Sequence, residues 1–340
     1  MKIIVDDKIP YIREALSGIT RDIIYIKGAD ITASDVRNAD ALIVRTRTRC
    51  DERLLGGSKV RFVATATIGI DHLDTQWLES AGIRWVNCPG CNAASVGQYL
   101  LTSLLTLQRD HGLHLDRATL GIVGYGHVGR AVKAVGEKLG MNIIVNDPFL
   151  NLPELVSLDT IRREADVVTF HVPLTSDGEH PTMHLADRSF LMGLCREGVT
   201  VVNTSRGGIV DENALLEAMD KGIVRHAIID TWENEPDINP KLLDKAYIAT
   251  PHIAGYSADG KVTADNMVLD ALCDFFGIKG HKKVTAPPLP SDFHYTGNPL
   301  ELYDPLEDSR RLKLHPLDFE EQRGNYPLRR EQYEVCAHNV

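Results

Sequence analysis

The feature that most constrains this chain is a rhythm. Short apolar runs at residues 3–5, 23–26, 41–44, 62–64 and 83–86 alternate with polar, helix-compatible stretches. The same alternation resumes at 119–123 and continues through 143–145, 167–170, 199–202 and 227–229 to the neighbourhood of Ile248. Runs of three to five apolar residues suit strands covered on both faces, and the intervening helices supply the cover. The pattern therefore predicts α/β units with parallel sheets. At 340 residues the chain exceeds what one hydrophobic core usually holds, so two doubly wound parallel-sheet domains in series are expected.

A helical candidate over residues 258–276 follows the last strand of the second unit and is expected to return to the first. That makes the N-terminal domain discontinuous: residues 1–92 with 258–285 form a substrate domain, and 93–257 a nucleotide-binding domain. The most apolar helix candidate, 93–107, is interrupted by Gln98, Thr102 and Ser103. It falls short of the ~20 apolar residues that cross a bilayer, so it is expected to be a buried helix, with no membrane partner. Ala286-Pro-Pro-Leu-Pro290 marks a stiff linker. The remaining stretch carries scattered aromatics and charges without a clear period, and residues 286–340 are expected to form a C-terminal dimerisation segment of a homodimer.

Thirty-seven basic against 47 acidic residues give a net charge of −10, which opposes nonspecific binding to nucleic acid. An anionic ligand must then be met by a local basic cluster. Six cysteines are too sparse for a disulfide scaffold, and nothing resembling a signal peptide precedes Lys2-Ile3-Ile4-Val5, so a reducing cytoplasm is expected. Cys88-Pro-Gly-Cys91 has no second pair and reads as a turn before a helix; no metal site is expected.

Gly124-Tyr-Gly126-His127-Val128-Gly129 follows a strand and opens a helix, and Asp147 closes the next strand. In a Rossmann-like unit the first glycine permits the tight turn, the second lets the backbone approach a pyrophosphate, and the third allows close helix packing. The helix N-terminus favours the pyrophosphate charge. Asp147 can accept from both ribose hydroxyls while repelling a 2′-phosphate, so NAD is the expected cofactor rather than NADP.

Three clusters follow three later strands: Asn203-Thr204-Ser205-Arg206-Gly-Gly208, Asp230-Thr-Trp-Glu-Asn-Glu235-Pro236 and Thr250-Pro-His252-Ile-Ala-Gly255-Tyr256. The carboxyl ends of parallel strands are where ligands bind, so the three should converge. A hydride-transferring enzyme for hydroxy acids needs a cation for the carboxylate, a base for the hydroxyl proton and a partner for the protonated base. Glu233 and Glu235 both offer the acid.

With these motifs the chain resembles the D-isomer-specific 2-hydroxyacid dehydrogenase family over residues 1 to about 285. The resemblance implies that Arg206 grips the substrate carboxylate and 2-oxygen, that His252 is the acid/base, and that Glu235 hydrogen-bonds the imidazole. It places Thr204, Ser205, Arg206, Asp230 and Gly255 at the cofactor, Asp230 near its carboxamide. Ala66-Thr67-Ile-Gly-Ile-Asp71-His72 and Asn87-Cys-Pro-Gly90-Cys-Asn92 carry a finer match, to members acting on a small phosphorylated hydroxy acid. The hydroxyl-rich basic patch 45–49 would suit a phosphate, with Arg45, Arg47 and Arg49 on one side if the chain stays extended. By similarity, Thr46, Thr67 and Tyr256 contact substrate, with Arg45 close by. Two rival readings are another member such as a phosphoglycerate dehydrogenase, and a noncatalytic NAD-sensing protein.

Overall fold

The computed structural model describes residues 1–331; Cys336 and the end of the expected dimerisation segment lie outside them. The described chain separates into two compact units, Met1–Asn92 with Ser257–Pro290, and Ala93–Tyr256 with the described residues from Ser291.

The first unit holds five parallel strands, β1 (Lys2–Asp6), β2 (Asp22–Ile26), β3 (Ala41–Val44), β4 (Phe62–Thr65) and β5 (Arg84–Val86), in the order β2-β1-β3-β4-β5. Every residue of β3 and β4 is buried, as their unbroken apolar runs require. One face is covered by the helix Ala258–Phe276, whose Ala264, Val268, Leu269 and Leu272 pack with Ile3, Val5 and Phe62. Ser257 caps its start by accepting from the Gly260 amide, and Gly277 ends it at φ 68°. The Cys88 thiol is buried and donates to the Thr65 and Ala264 carbonyls, and the Cys91 amide closes a turn onto Cys88.

One expectation fails here. The chain does not stay extended after β3: it turns at residues 46–48, and the Thr48 amide donates back to the Arg45 carbonyl. The buried Thr48 hydroxyl bonds the Gly28 carbonyl, Arg45 reaches the Lys8 carbonyl, and Arg49 pairs with Asp51. Burying Thr48 gains a satisfied hydroxyl and breaks the alternation that would have aligned three arginines.

The second unit holds six parallel strands, β6 (Thr119–Val123), β7 (Asn142–Asn146), β8 (Val167–Phe170), β9 (Val199–Asn203), β10 (Val224–Ile229) and β11 (Ile248–Ala249), in the order β11-β10-β9-β8-β6-β7. The chain runs outward from β6 to β7 and then back to β8 on the other side of β6. That reversal is the topological switch point at which open parallel sheets bind ligands. The helix Ala93–His111 buries Tyr99, Leu100, Leu104 and Leu107 in one core with Leu120, Ile122 and Val132. Among the described residues no helix is long and apolar enough to cross a membrane.

The described part of the C-terminal stretch is not a separate segment. Residues to Pro290 group with the first unit, and the remainder packs on the second. Leu312 and Phe319 are fully buried in its core, and the Ser309 hydroxyl accepts from the Ala249 amide of β11. Arg329, also buried, donates to Gln98 Oε1, to the Ser95 carbonyl and to the Ile253 carbonyl, and its guanidinium stacks 3.8 Å from the Tyr303 ring centroid.

Candidate active site

At the switch point, Gly124 leaves β6 with φ 94°, and a side chain there would meet the His171 carbonyl at 2.5 Å. A Cβ at Gly129 would lie 2.0 Å from the Gly124 carbonyl, so the helix can only press this close onto the loop with glycine. Around the exposed Gly126, by contrast, nothing lies within 4 Å of where a Cβ would stand. Gly126 is the N-cap of the helix His127–Lys138 and makes no side-chain capping bond, which leaves first-turn amides for an anion. Asp147, just past β7, accepts from the Tyr125 amide at 2.8 Å and from the Phe149 amide at 3.1 Å, fixing its carboxylate beside the glycine loop. The Thr204 and Thr231 hydroxyls, past the ends of β9 and β10, are buried with no hydrogen-bond partner among the described residues. Open backbone, a fixed acid and orphaned hydroxyls fit a dinucleotide.

The ends of β9, β10 and β11 lie level, with Asn203 opposite Ile229 and Ile229 opposite Ala249. Asn203 folds the chain past β9 into a turn: its Oδ1 accepts from the Ser205 amide and hydroxyl, and its Nδ2 donates to the Arg206 carbonyl. Arg206, half-buried, donates from one guanidinium nitrogen to the Ser205 carbonyl. A Cβ on the next residue, Gly207, would stand 1.9 Å from the Trp232 carbonyl, so the loops after β9 and β10 are in backbone contact. The Trp232 amide donates to Glu235 Oε1 at 2.9 Å, and Glu235 Oε2 lies 2.9 Å from His252 Nδ1. His252 is held at φ 57°, with its amide donating to the Asp230 carbonyl.

Asp230 anchors that third loop. Its buried carboxylate accepts from the Ile253 amide at 2.7 Å, the Thr250 hydroxyl at 2.6 Å and the Ala254 amide at 2.9 Å. Of the two glutamates, Glu233 is engaged by His184 Nε2 at 3.1 Å, while Glu235 is the one that faces His252.

Residues 98–254 match the family model described as "D-isomer specific 2-hydroxyacid dehydrogenase, NAD binding domain". An erythronate-4-phosphate dehydrogenase of Bacteroides fragilis is 52% identical over 98% of this chain and 97% of its own length. The chain belongs to the D-isomer-specific 2-hydroxyacid dehydrogenases. A second erythronate-4-phosphate dehydrogenase, from Escherichia coli O157:H7, is 39% identical over 97% of this chain and 87% of its own. The solved NAD+-bound 3-phosphoglycerate dehydrogenase of Entamoeba histolytica superposes with a TM-score of 0.69 at 27% identity, covering 85% of this chain and 99% of that one. As a 2-hydroxyacid dehydrogenase, the protein is an NAD-dependent oxidoreductase.

Within this dehydrogenase site, burial works to raise the Glu235 carboxyl, but the His252 bond and charge, the Trp232 amide and the Arg323 charge together hold it below the usual glutamate value. Burial raises the Asp230 carboxyl despite the His252 charge and the three bonds it accepts. His171, half-buried with its Nε2 on the Thr169 hydroxyl, is pushed down to about 3 by burial and stays neutral. Of the positions matched to substrate, Arg45 and Thr46 directly follow β3, and Thr67 lies just past β4, its hydroxyl bonded to Thr65 and the Gly69 carbonyl. Tyr256 ends the turn that its amide closes onto Ile253. Sequence reasoning missed Asn203 as the turn-former and Arg323 and Arg329 as neighbours of the His252 loop; Asn203 stands in a quoted motif that does not tell what it touches, and the two arginines stand in none.

Proposed function

We propose that this chain oxidises 4-phospho-D-erythronate to 3-hydroxy-2-oxo-4-phosphooxybutanoate, a step of pyridoxal 5′-phosphate biosynthesis. The observation that carries the reading is the Glu235–His252 pair past the level strand ends from which the Arg206 loop also departs, in a chain 52% identical to an erythronate-4-phosphate dehydrogenase of Bacteroides fragilis. Gly124, Gly126, His127, Val128 and Gly129 would hold the NAD pyrophosphate, Asp147 the ribose, and Thr204, Ser205, Arg206, Asp230 and Gly255 the nicotinamide half. NAD bound there supplies the acceptor for the hydride leaving carbon 2.

The chain's own residues do the rest. His252 Nε2, on the side of the ring away from Glu235, takes the hydroxyl proton as carbon 2 becomes a carbonyl. Glu235, held as a carboxylate, fixes the ring through Nδ1 and offsets the imidazolium charge that forms. Arg206 orients the carboxylate and the 2-oxygen, a task for which a planar, permanently charged fork is suited. Arg45, Thr46, Thr67 and Tyr256 are the proposed substrate contacts. The protein acts in the cytoplasm, a reading supported by its sparse cysteines, and is proposed to be a homodimer.

The test is a substrate panel followed at the nicotinamide absorbance. NAD reduction is expected with 4-phospho-D-erythronate and not with unphosphorylated erythronate. Equal rates on the two, or faster turnover of 3-phosphoglycerate, would replace this reading.

A further inference from the structure

The chain beyond residue 254, where the family model ends, returns to the His252 loop at three points. Arg323, on the helix Phe319–Gly324, donates from Nε to the Tyr256 hydroxyl at 3.0 Å, its guanidinium 5.7 Å from the ring centroid. The Tyr326 ring meets the Tyr256 ring edge-on at 6.1 Å, and Tyr326 is itself fixed by donating to Asp308 at 2.6 Å. Arg329 donates to the Ile253 carbonyl. Tyr256 and Ile253 flank the two residues that follow His252 closely in sequence, so this stretch touches the loop that carries the acid/base on both sides.

Arg323 is the member with the least structural reason to be there. Its side chain is 21% exposed, and among the described residues it meets the Tyr256 hydroxyl, approaches Glu320 at 4.0 Å and adds its charge to the field at Glu235. A neutral hydrogen bond, a long ion pair and the more distant Glu235 charge offset little of what it costs to withdraw a guanidinium from water. The bond has a positional consequence. The Nε–H donates to the Tyr256 oxygen while the guanidinium lies beside the ring, so the position of this hydroxyl is fixed from the C-terminal side. The same charge reaches Glu235 and helps keep it ionised.

We infer that Arg323 is a positioning residue of the dehydrogenase, holding the Tyr256 hydroxyl where the substrate meets it. This rests on Tyr256 as a substrate contact. It assigns to the C-terminal stretch a part in substrate binding within its own chain.

The experiment is a double-mutant cycle of Arg323→Gln, Tyr256→Phe and the pair, on the full-length protein. NAD affinity by calorimetry and the melting temperature report folding. Arg323→Gln is expected to raise KM for the hydroxy acid roughly tenfold, with kcat within about threefold and NAD affinity unchanged. Tyr256→Phe should do the same, and the double variant should be no worse than the poorer single. Arg323→Lys, which keeps a donor and the charge, should recover part of the loss; it replaces the glutamine variant in the cycle if that one does not fold. Unchanged KM in a folded Arg323 variant, or effects that multiply in the pair, would overturn the inference. The cycle is run on whichever hydroxy acid the wild type oxidises, so a wrong substrate assignment fails separately.

Discussion

Glu235 and His252, seventeen positions apart, meet through a 2.9 Å contact between Oε2 and Nδ1, and the other glutamate oxygen is tied to the Trp232 amide. The carboxylate is thus fixed at both ends before it orients the ring. Removing its charge while keeping its shape isolates that duty. Glu235→Gln should cut kcat by roughly 10²–10⁴-fold while leaving NAD affinity intact, as checked by steady-state kinetics and calorimetry. Native kcat would place the acid elsewhere.

His252→Asn should lose turnover by at least a comparable factor. A hydroxyl proton with no acceptor blocks carbonyl formation, whereas neither NAD nor substrate binding depends on the ring's basicity. A fall in NAD affinity with turnover preserved would contradict this.

The glycine loop separates two kinds of damage. Gly129→Ala places a methyl against the Gly124 carbonyl and should lower the melting temperature by several degrees. Gly126→Ala meets nothing within 4 Å, so it should melt like the wild type yet bind NAD at least tenfold more weakly. Thermal scans with and without NAD read both.

Stability should depend on pH through Asp265, which is buried in the first unit. Burial pushes its carboxyl up to about 7, against the Tyr11 amide and the charges of Arg45 and Lys261. Between about pH 4 and 7 the folded chain therefore keeps a proton that the unfolded chain has released, so this group makes stability fall as pH rises across that window. Asp265→Asn removes the titration. Its unfolding free energy relative to wild type should climb from pH 4 to 7 and then level off, measured in urea. Glu235 has the opposite sign: held below the usual glutamate value, its contribution is complete above that value and is lost as pH falls through it.

The strands were legible because each is a short apolar run and burial demands it; all eleven lie where the runs placed them, as does the helix over 258–276. The neighbourhood of the loops carrying Arg206, Glu235 and His252 was legible because each follows a strand, and strand ends in a parallel sheet meet. What sequence could not supply was contact. Nothing local to 45–49 tells that Thr48 turns inward to a carbonyl twenty residues away. Nothing about Asp230 tells that it spends both oxygens on residues 250–254. Arg323 and Tyr256, 67 positions apart, could be paired only once the C-terminal helices were seen against the second sheet.

Gly207 contributes a hydrogen atom where any other residue would drive the Trp232 carbonyl away. Trp232 in turn supplies the amide that holds Glu235, so the tolerance for error in aiming a proton acceptor is set at a position with no titratable group of its own. A single methyl there would shift the guanidinium of Arg206 and the carboxylate of Glu235 apart together, and the lesion would look catalytic although no reactive atom had been touched.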